Sequence, residues 1–183
     1  EVRHQVIRKI REWNADIVLG LRSNDYHPDH RNAGKLVQDA AYMVIVPNVA
    51  PDVAPLKKNP VFLYTEDRFQ KPTPFEPEIT VDITAVFNQK IYAMSAHKSQ
   101  FFEWLPWTSG KLDQVPETEQ DRLEWLKNWR KPSISANAKK SLVKWYGEEK
   151  AATVMYTESF EICEYGKQPD ENEIRKLFPM IEK

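Results

Sequence analysis

The stretch Asp25-Tyr26-His27-Pro28-Asp29-His30 constrains this 183-residue chain more than any other. An apolar run from Ala15 to Leu21 precedes it and reads as a short buried strand. After it, Ala33, Leu36, Val37, Ala40, Ala41 and Val44 recur at helical spacing. Two imidazoles and a carboxylate therefore fall where a strand gives way to a helix, the edge at which open α/β sheets place their ligands. Neutral imidazole is the commonest nitrogen donor to metals, and a carboxylate can orient a ring through its second nitrogen. Metal ligation and proton transfer are the chemistries these residue types suit. The spacing fits a plainer arrangement equally well, with Asp29 capping a helix that starts near His30 and both histidines solvated.

The rest of the chain extends the α/β pattern. Val2 to Trp13 reads as an amphipathic helix with Val2, Val6, Ile10 and Trp13 on one face and Arg3, Lys9 and Arg11 off it. A strand at Ile17–Leu21 and a helix from about Arg31 to Val46 follow. Pro47, Pro51, Pro55 and Pro60 then enforce an irregular excursion, because proline continues neither a helix nor a central strand. Val61–Tyr64 is a compact apolar strand, and a loop from Thr65 to Pro77 carries Pro72, Pro74 and Pro77. Long ordered loops in compact domains are often functional, so either excursion could shape a substrate mouth or simply cover surface. Glu78–Ile83 alternates like a half-exposed strand. A helix is expected from about Thr84 to Phe102, with Phe87, Ile91, Met94, His97 and Phe101 on one side. By position alone His97 is a core histidine. Tyr156–Cys163 reads as a late strand and Glu171–Leu177 as a short terminal helix. The expected class is α/β: a Rossmann-like, doubly wound, mostly parallel sheet flanked by helices.

Three stretches in order carry a family resemblance. NDYHPDHRNAG resembles the second signature of the PIG-L/LmbE-like zinc-dependent de-N-acetylases, which include enzymes acting on N-acetylglucosaminyl-phosphatidylinositol and related GlcNAc conjugates. Lys90 to Gln100 is similar to that family's helix ending in His-x-Ser-Gln, and Tyr156–Glu161 to its Tyr-x-Glu-x-Phe strand. The family's first signature, Ala-His-Pro-Asp-Asp, has no counterpart in this sequence. The resemblance implies that residues 1–166 are the carboxyl-terminal portion of one such domain, with the first strands missing and 167–183 a helical tail. It implies a zinc-dependent hydrolase removing an acetyl group from an amino sugar. His30 matches the third zinc ligand. His27 matches the histidine that stabilises the oxyanion or protonates the amine, and Asp29 the carboxylate paired with it, expected to hold that ring protonated. Two metal ligands and the general base would lie in the absent signature, where a catalytic zinc needs about three protein ligands and an open position. The resemblance also gives His97 a substrate-proximal role. The alternative is a non-catalytic fragment of the same fold that binds a sugar or a partner.

Asp25 and Tyr26 are candidate substrate contacts. So is Arg31, which with Asn32 and Gly34 opens the helix, where free amides favour anionic groups; helix entry alone explains these residues as well. Lys+Arg of 26 against Asp+Glu of 27 leaves no basic footprint for nucleic acid. The single cysteine, Cys163, excludes an intrachain disulfide and a Cys-rich zinc ribbon, and its apolar flanks suit a buried strand position. No signal peptide or membrane span is visible. The expected partners are a small amino-sugar substrate, the missing amino-terminal segment or a chain that supplies it, and further copies in a homo-oligomer, in the cytoplasm. Trp104 and Trp107 could stack on a sugar, whereas Trp125, Trp129 and Trp145 fall on polar helical stretches where burial is the commoner outcome.

Overall fold

The structure is a computed structural model that describes residues 1–129 and 133–181. The element order is α1 (Val2–Trp13), β1 (Ile17–Gly20), α2 (Pro28–Met43), β2 (Val61–Thr65), β3 (Ile79–Asp82), α3 (Phe87–Ser95), α4 (Leu105–Thr108), α5 (Glu119–Trp129), α6 (Ala136–Tyr146), α7 (Glu148–Thr153), β4 (Thr157–Ile162) and α8 (Glu171–Leu177). These divide into two compact units. The first comprises Glu1–Val81, Ala136–Ala152 and Glu158–Lys183; the second comprises Asp82–Ser135 and Thr153–Thr157.

The four strands form one sheet in the order β1-β2-β4-β3. β1 and β2 are parallel, in register from Ile17 opposite Val61 to Gly20 opposite Tyr64. A parallel pair needs a long crossover, and α2 lies within it. β4 returns antiparallel to β2, with Leu63 opposite Ile162 and Thr65 opposite Phe160. The α/β class is as the sequence pattern predicts, in a mixed sheet. β1 forms one edge of it, where Leu19 is half exposed.

In the first unit, Ile7 and Ile10 of α1 pack with Ala40 and Ala41 of α2, Val44 just beyond it, and Phe62 of β2. The face expected for α1 is wrong at both ends. Val2 and Trp13 are exposed, Trp13 at 83%, while Arg11 is buried at 4%. Six backbone carbonyls explain the buried cation. The Arg11 guanidinium donates to Met43, Val44, Val46, Val49, Ala50 and Val53 over 2.7–3.1 Å. α2 has no basic residue in its own last turn, and Arg11 supplies from α1 the positive charge that a helix carboxyl end favours. Trp145 is buried, its indole N–H donating to the Glu78 carbonyl at 2.8 Å. Cys163 is buried just after β4, where its Sγ accepts from the Tyr64 hydroxyl at 3.1 Å.

The second unit packs Phe87, Ile91, Phe102 and Leu126, and the Tyr156 ring stacks on Phe87 at 3.5 Å and 8°. The single helix expected over Thr84–Phe102 is instead three pieces. A 3-10 turn at Thr84–Val86 leads into α3, and a π-helical turn at Gln100–Trp104 leads into α4. α3 closes with tight bonds, Ala96 N–H to Ala93 and His97 N–H to Met94. No glycine or proline marks this break in the sequence. His97, expected on the apolar face, is exposed in the gap. Trp104 and Trp107 are exposed and stack on each other at 5.6 Å.

Candidate functional site

The signature loop is built from its carboxylate outward. β1 ends at Gly20, and the chain turns so that Asp25, its side chain 13% exposed, faces back along the loop. One oxygen, Asp25 Oδ1, accepts the His27 backbone N–H at 2.7 Å and lies 3.1 Å from Nδ1 of His30. Burial raises the Asp25 carboxyl, but the bonds from the His27 N–H and the His30 ring outweigh it and leave the group below its ordinary value. Arg31 closes the loop by donating to the carbonyls of Asp25 and Tyr26, both at 2.8 Å.

α2 begins earlier than its apolar spacing predicts. Pro28 occupies the first helical position, where its missing N–H costs nothing. The cap is His27 and not Asp29: Nδ1 of His27 accepts the Asp29 backbone N–H at 3.2 Å. The Asp29 carboxylate is 86% exposed and stands 3.9 Å from that nitrogen. Gly34, one turn after His30, lets α2 approach the sheet, because a Cβ there would lie 2.4 Å from the Leu21 carbonyl oxygen.

The two rings stack with centroids 4.7 Å apart, and the Tyr26 ring presents an edge-on contact to each at 5.9 Å. Their Nδ1 atoms face opposite kinds of partner. Nδ1 of His30 faces the Asp25 carboxylate at 3.1 Å, and an Nδ1–H directed there leaves the lone pair of the neutral ring on Nε2. Nδ1 of His27 accepts from the helix, which leaves the proton on Nε2. In that arrangement the neutral His30 ring has the form of a cation donor at Nε2, and the His27 ring carries an Nε2–H that can donate to an anionic oxygen. A His with a carboxylate on its far nitrogen is the usual arrangement behind a zinc ligand, so His30 fits that role. Among the described residues no three His, Cys, Asp or Glu side chains converge as a metal-holding set.

The structure brings Asp25, Tyr26, His27, Asp29, His30 and Arg31 together in the first unit; His97 belongs to the second. Two neighbours of the site are not legible from motif spacing. Arg22, 7% exposed, pairs with Asp67 at 2.7 and 2.6 Å, and Phe69 lies 6.3 Å from Tyr26. Only the apolar-to-charged change at Leu21-Arg22 hints at the first. A cavity of about 450 Å³ in the same unit is lined by Tyr64, Gln38, Glu78, Glu161 and Glu164 among others. Burial pushes the Glu161 carboxyl up, against the pull of the Glu76 N–H and of Arg22. No described helix is long and apolar enough to cross a membrane.

No family model matches the chain. Solved structures of similar fold include N,N'-diacetylchitobiose deacetylase from Pyrococcus horikoshii, at 22% identity and a TM-score of 0.52, over 90% of this chain and 51% of that one. Another is GalB, the 4-carboxy-2-hydroxymuconate hydratase from Pseudomonas putida KT2440, at 16% identity and a TM-score of 0.60, over 93% of this chain and 60% of that one. The chain therefore spans between half and about three fifths of the length of these structures. This chain shares the fold of these two solved structures.

Proposed function

We propose that this chain carries the histidine half of a zinc-dependent amide hydrolase that removes acetyl groups from N-acetylated amino sugars. The observation that carries the reading is the opposed setting of the two Nδ1 atoms, that of His30 against the Asp25 carboxylate and that of His27 against the Asp29 backbone N–H. His30, oriented by Asp25, offers Nε2 as one metal donor. His27, fixed as the cap of α2, aims an Nε2–H at the oxygen that becomes negative when water adds to the acetamide carbonyl. The proton that the departing amine needs comes from the attacking water by way of the general base, and the His27 ring stays neutral throughout. Zinc, when bound, lowers the pKa of water and polarises the carbonyl. The general base and the other donors are proposed to come from a segment outside residues 1–183. β1 supports this: it is an edge strand with a half-exposed leucine, a form open to pairing.

The two solved structures favour water as the co-substrate without choosing the electrophile. One is named a deacetylase of diacetylchitobiose and the other a hydratase of a hydroxymuconate, and one fold serves many reactions. The deciding experiment incubates the complete zinc-loaded protein with N,N'-diacetylchitobiose and measures released acetate. A His27→Ala variant is expected to lose roughly two orders of magnitude in turnover, the scale of losing one oxyanion hydrogen-bond donor, while keeping its zinc. Acetate release undiminished in that variant would overturn the assignment of His27. Absence of acetate release by the parent would overturn the deacetylase reading.

A further inference from the structure

The loop over residues 66–75 is tied to the signature loop at several points, and the ties are stronger than surface contacts. Arg22, immediately beyond the β1 segment, donates through Nε and Nη2 to both carboxylate oxygens of Asp67, at 2.7 and 2.6 Å. Its remaining donors reach the Thr73 carbonyl at 2.9 Å and the Phe69 carbonyl at 3.1 Å, with the guanidinium 5.7 Å from the Phe75 ring. The Asn24 amide donates to the Lys71 carbonyl at 2.8 Å. Asp67 Oδ1 also accepts the Phe69 backbone N–H at 2.9 Å, which pins that residue within its own loop. A two-pronged Arg–carboxylate pair is geometrically specific. Buried, it fixes orientation more than it adds stability, because desolvation offsets much of the attraction.

The ring those ties hold is Phe69. It is half-buried and lies 6.3 Å from Tyr26 at 49°, and Tyr26, 74% exposed, meets both imidazoles edge-on. Aromatic faces rigidly held beside polar catalytic groups suit a ligand with one apolar and one hydroxylated face, which describes a pyranose. We propose that Phe69 and Tyr26 form an aromatic wall that receives the sugar ring of the substrate beside His27 and His30, and that Arg22 and Asp67 are positioning residues that hold it there. The wall sets how tightly the ring is bound. The imidazoles act on the acyl group. The catalytic part of this statement rests on the deacetylase reading; the binding part does not.

The experiment compares the complete zinc-loaded parent with Phe69→Leu, Phe69→Tyr and Arg22→Gln, using N,N'-diacetylchitobiose and the ring-free N-acetylethanolamine. Expected for Phe69→Leu is a roughly tenfold rise in KM for the disaccharide, with kcat nearly unchanged and KM for the ring-free amide unmoved. Phe69→Tyr should restore the parent KM, and Arg22→Gln should move KM in the same direction as Phe69→Leu. Circular dichroism and zinc content separate these effects from misfolding; if Arg22→Gln fails to fold, Phe69→Leu still decides. An unchanged disaccharide KM in folded, zinc-loaded Phe69→Leu overturns the wall, and so does an equal loss on both substrates. Calorimetric titration with the disaccharide keeps the two readings apart. If the parent turns over neither amide, the deacetylase reading fails, while a roughly tenfold weaker Kd in Phe69→Leu still supports the wall. An equal Kd, or a parent that does not bind the disaccharide, overturns it.

Discussion

Oδ1 of Asp25 stands 3.1 Å from Nδ1 of His30, and this contact gives a role to a carboxylate whose place in the motif leaves its task open. Asp25 contacts the ring proposed above as a metal donor, while Asp29, the carboxylate matched to His27 by resemblance, points into solvent. Asp25→Asn is expected to weaken zinc affinity by about 10–100-fold, the usual cost of losing a carboxylate behind a histidine ligand. His30→Ala should cost more. A chelator competition titration reads both, and equal affinities for parent and Asp25→Asn would remove Asp25 from this role.

The same contact predicts an acid dependence. The Asp25 carboxyl is held below its ordinary value in the folded protein, so its stabilising contribution is fully present above the ordinary carboxylate range. It is lost as pH falls through the depressed folded value. In metal-free protein, the gap in urea midpoint between parent and Asp25→Asn should therefore be widest near neutrality and shrink on acidification. A gap that stays constant down to about pH 2 would contradict it.

Gly34→Ala should damage the site without touching it. The added Cβ would meet the Leu21 carbonyl oxygen at 2.4 Å, backbone against side chain, so α2 must move. His30 sits one turn earlier on the same helix and moves with it. The expected result is a lower thermal midpoint together with weaker zinc binding, whereas Ala33→Gly on the exposed side should leave zinc affinity as in the parent.

Arg11→Met tests the buried cation. It removes the guanidinium from six carbonyls around the end of α2, of which Met43, Val44, Val46 and Ala50 keep a backbone N–H while Val49 and Val53 lose the donor that these contacts give them, and the expected cost is roughly 1–3 kcal/mol. Arg11→Lys should recover little of this, because an ammonium presents a compact point charge in place of the planar fork. Urea denaturation of all three proteins provides the comparison.

Glu161 should give the opposite pH sign to Asp25. Burial raises its folded value, so the folded protein holds its proton more tightly than the unfolded chain does. Its contribution is most favourable below the ordinary carboxylate range and is lost as pH rises through the raised folded value. Glu161→Gln should flatten that part of the stability profile, and an unaltered slope would show that Glu161 is not its source.

How much of this was legible beforehand depends on the range of the interaction. The strand-loop-helix around His27, the strands near Val61 and Thr157, the helix at Glu171–Leu177 and the burial of Trp145 and Cys163 all follow from apolar periodicity and turn chemistry. Those signals are local, and neighbours in sequence carry them. The resemblance in the signature led to the fold without any contact being known. What the tertiary structure decided is long-range. Arg11 and Trp13 exchange their expected exposures because carbonyls more than thirty residues away receive the guanidinium. The helix around His97 breaks with no residue to mark it. Arg22 finds Asp67 across 45 positions, bringing Phe69 beside Tyr26. Even within the motif, it is the turn of the backbone that sets His30 against Asp25 and makes His27 the cap of α2. Hydrogen-bond direction depends on where donors and acceptors stand in space, and residue spacing alone does not specify that.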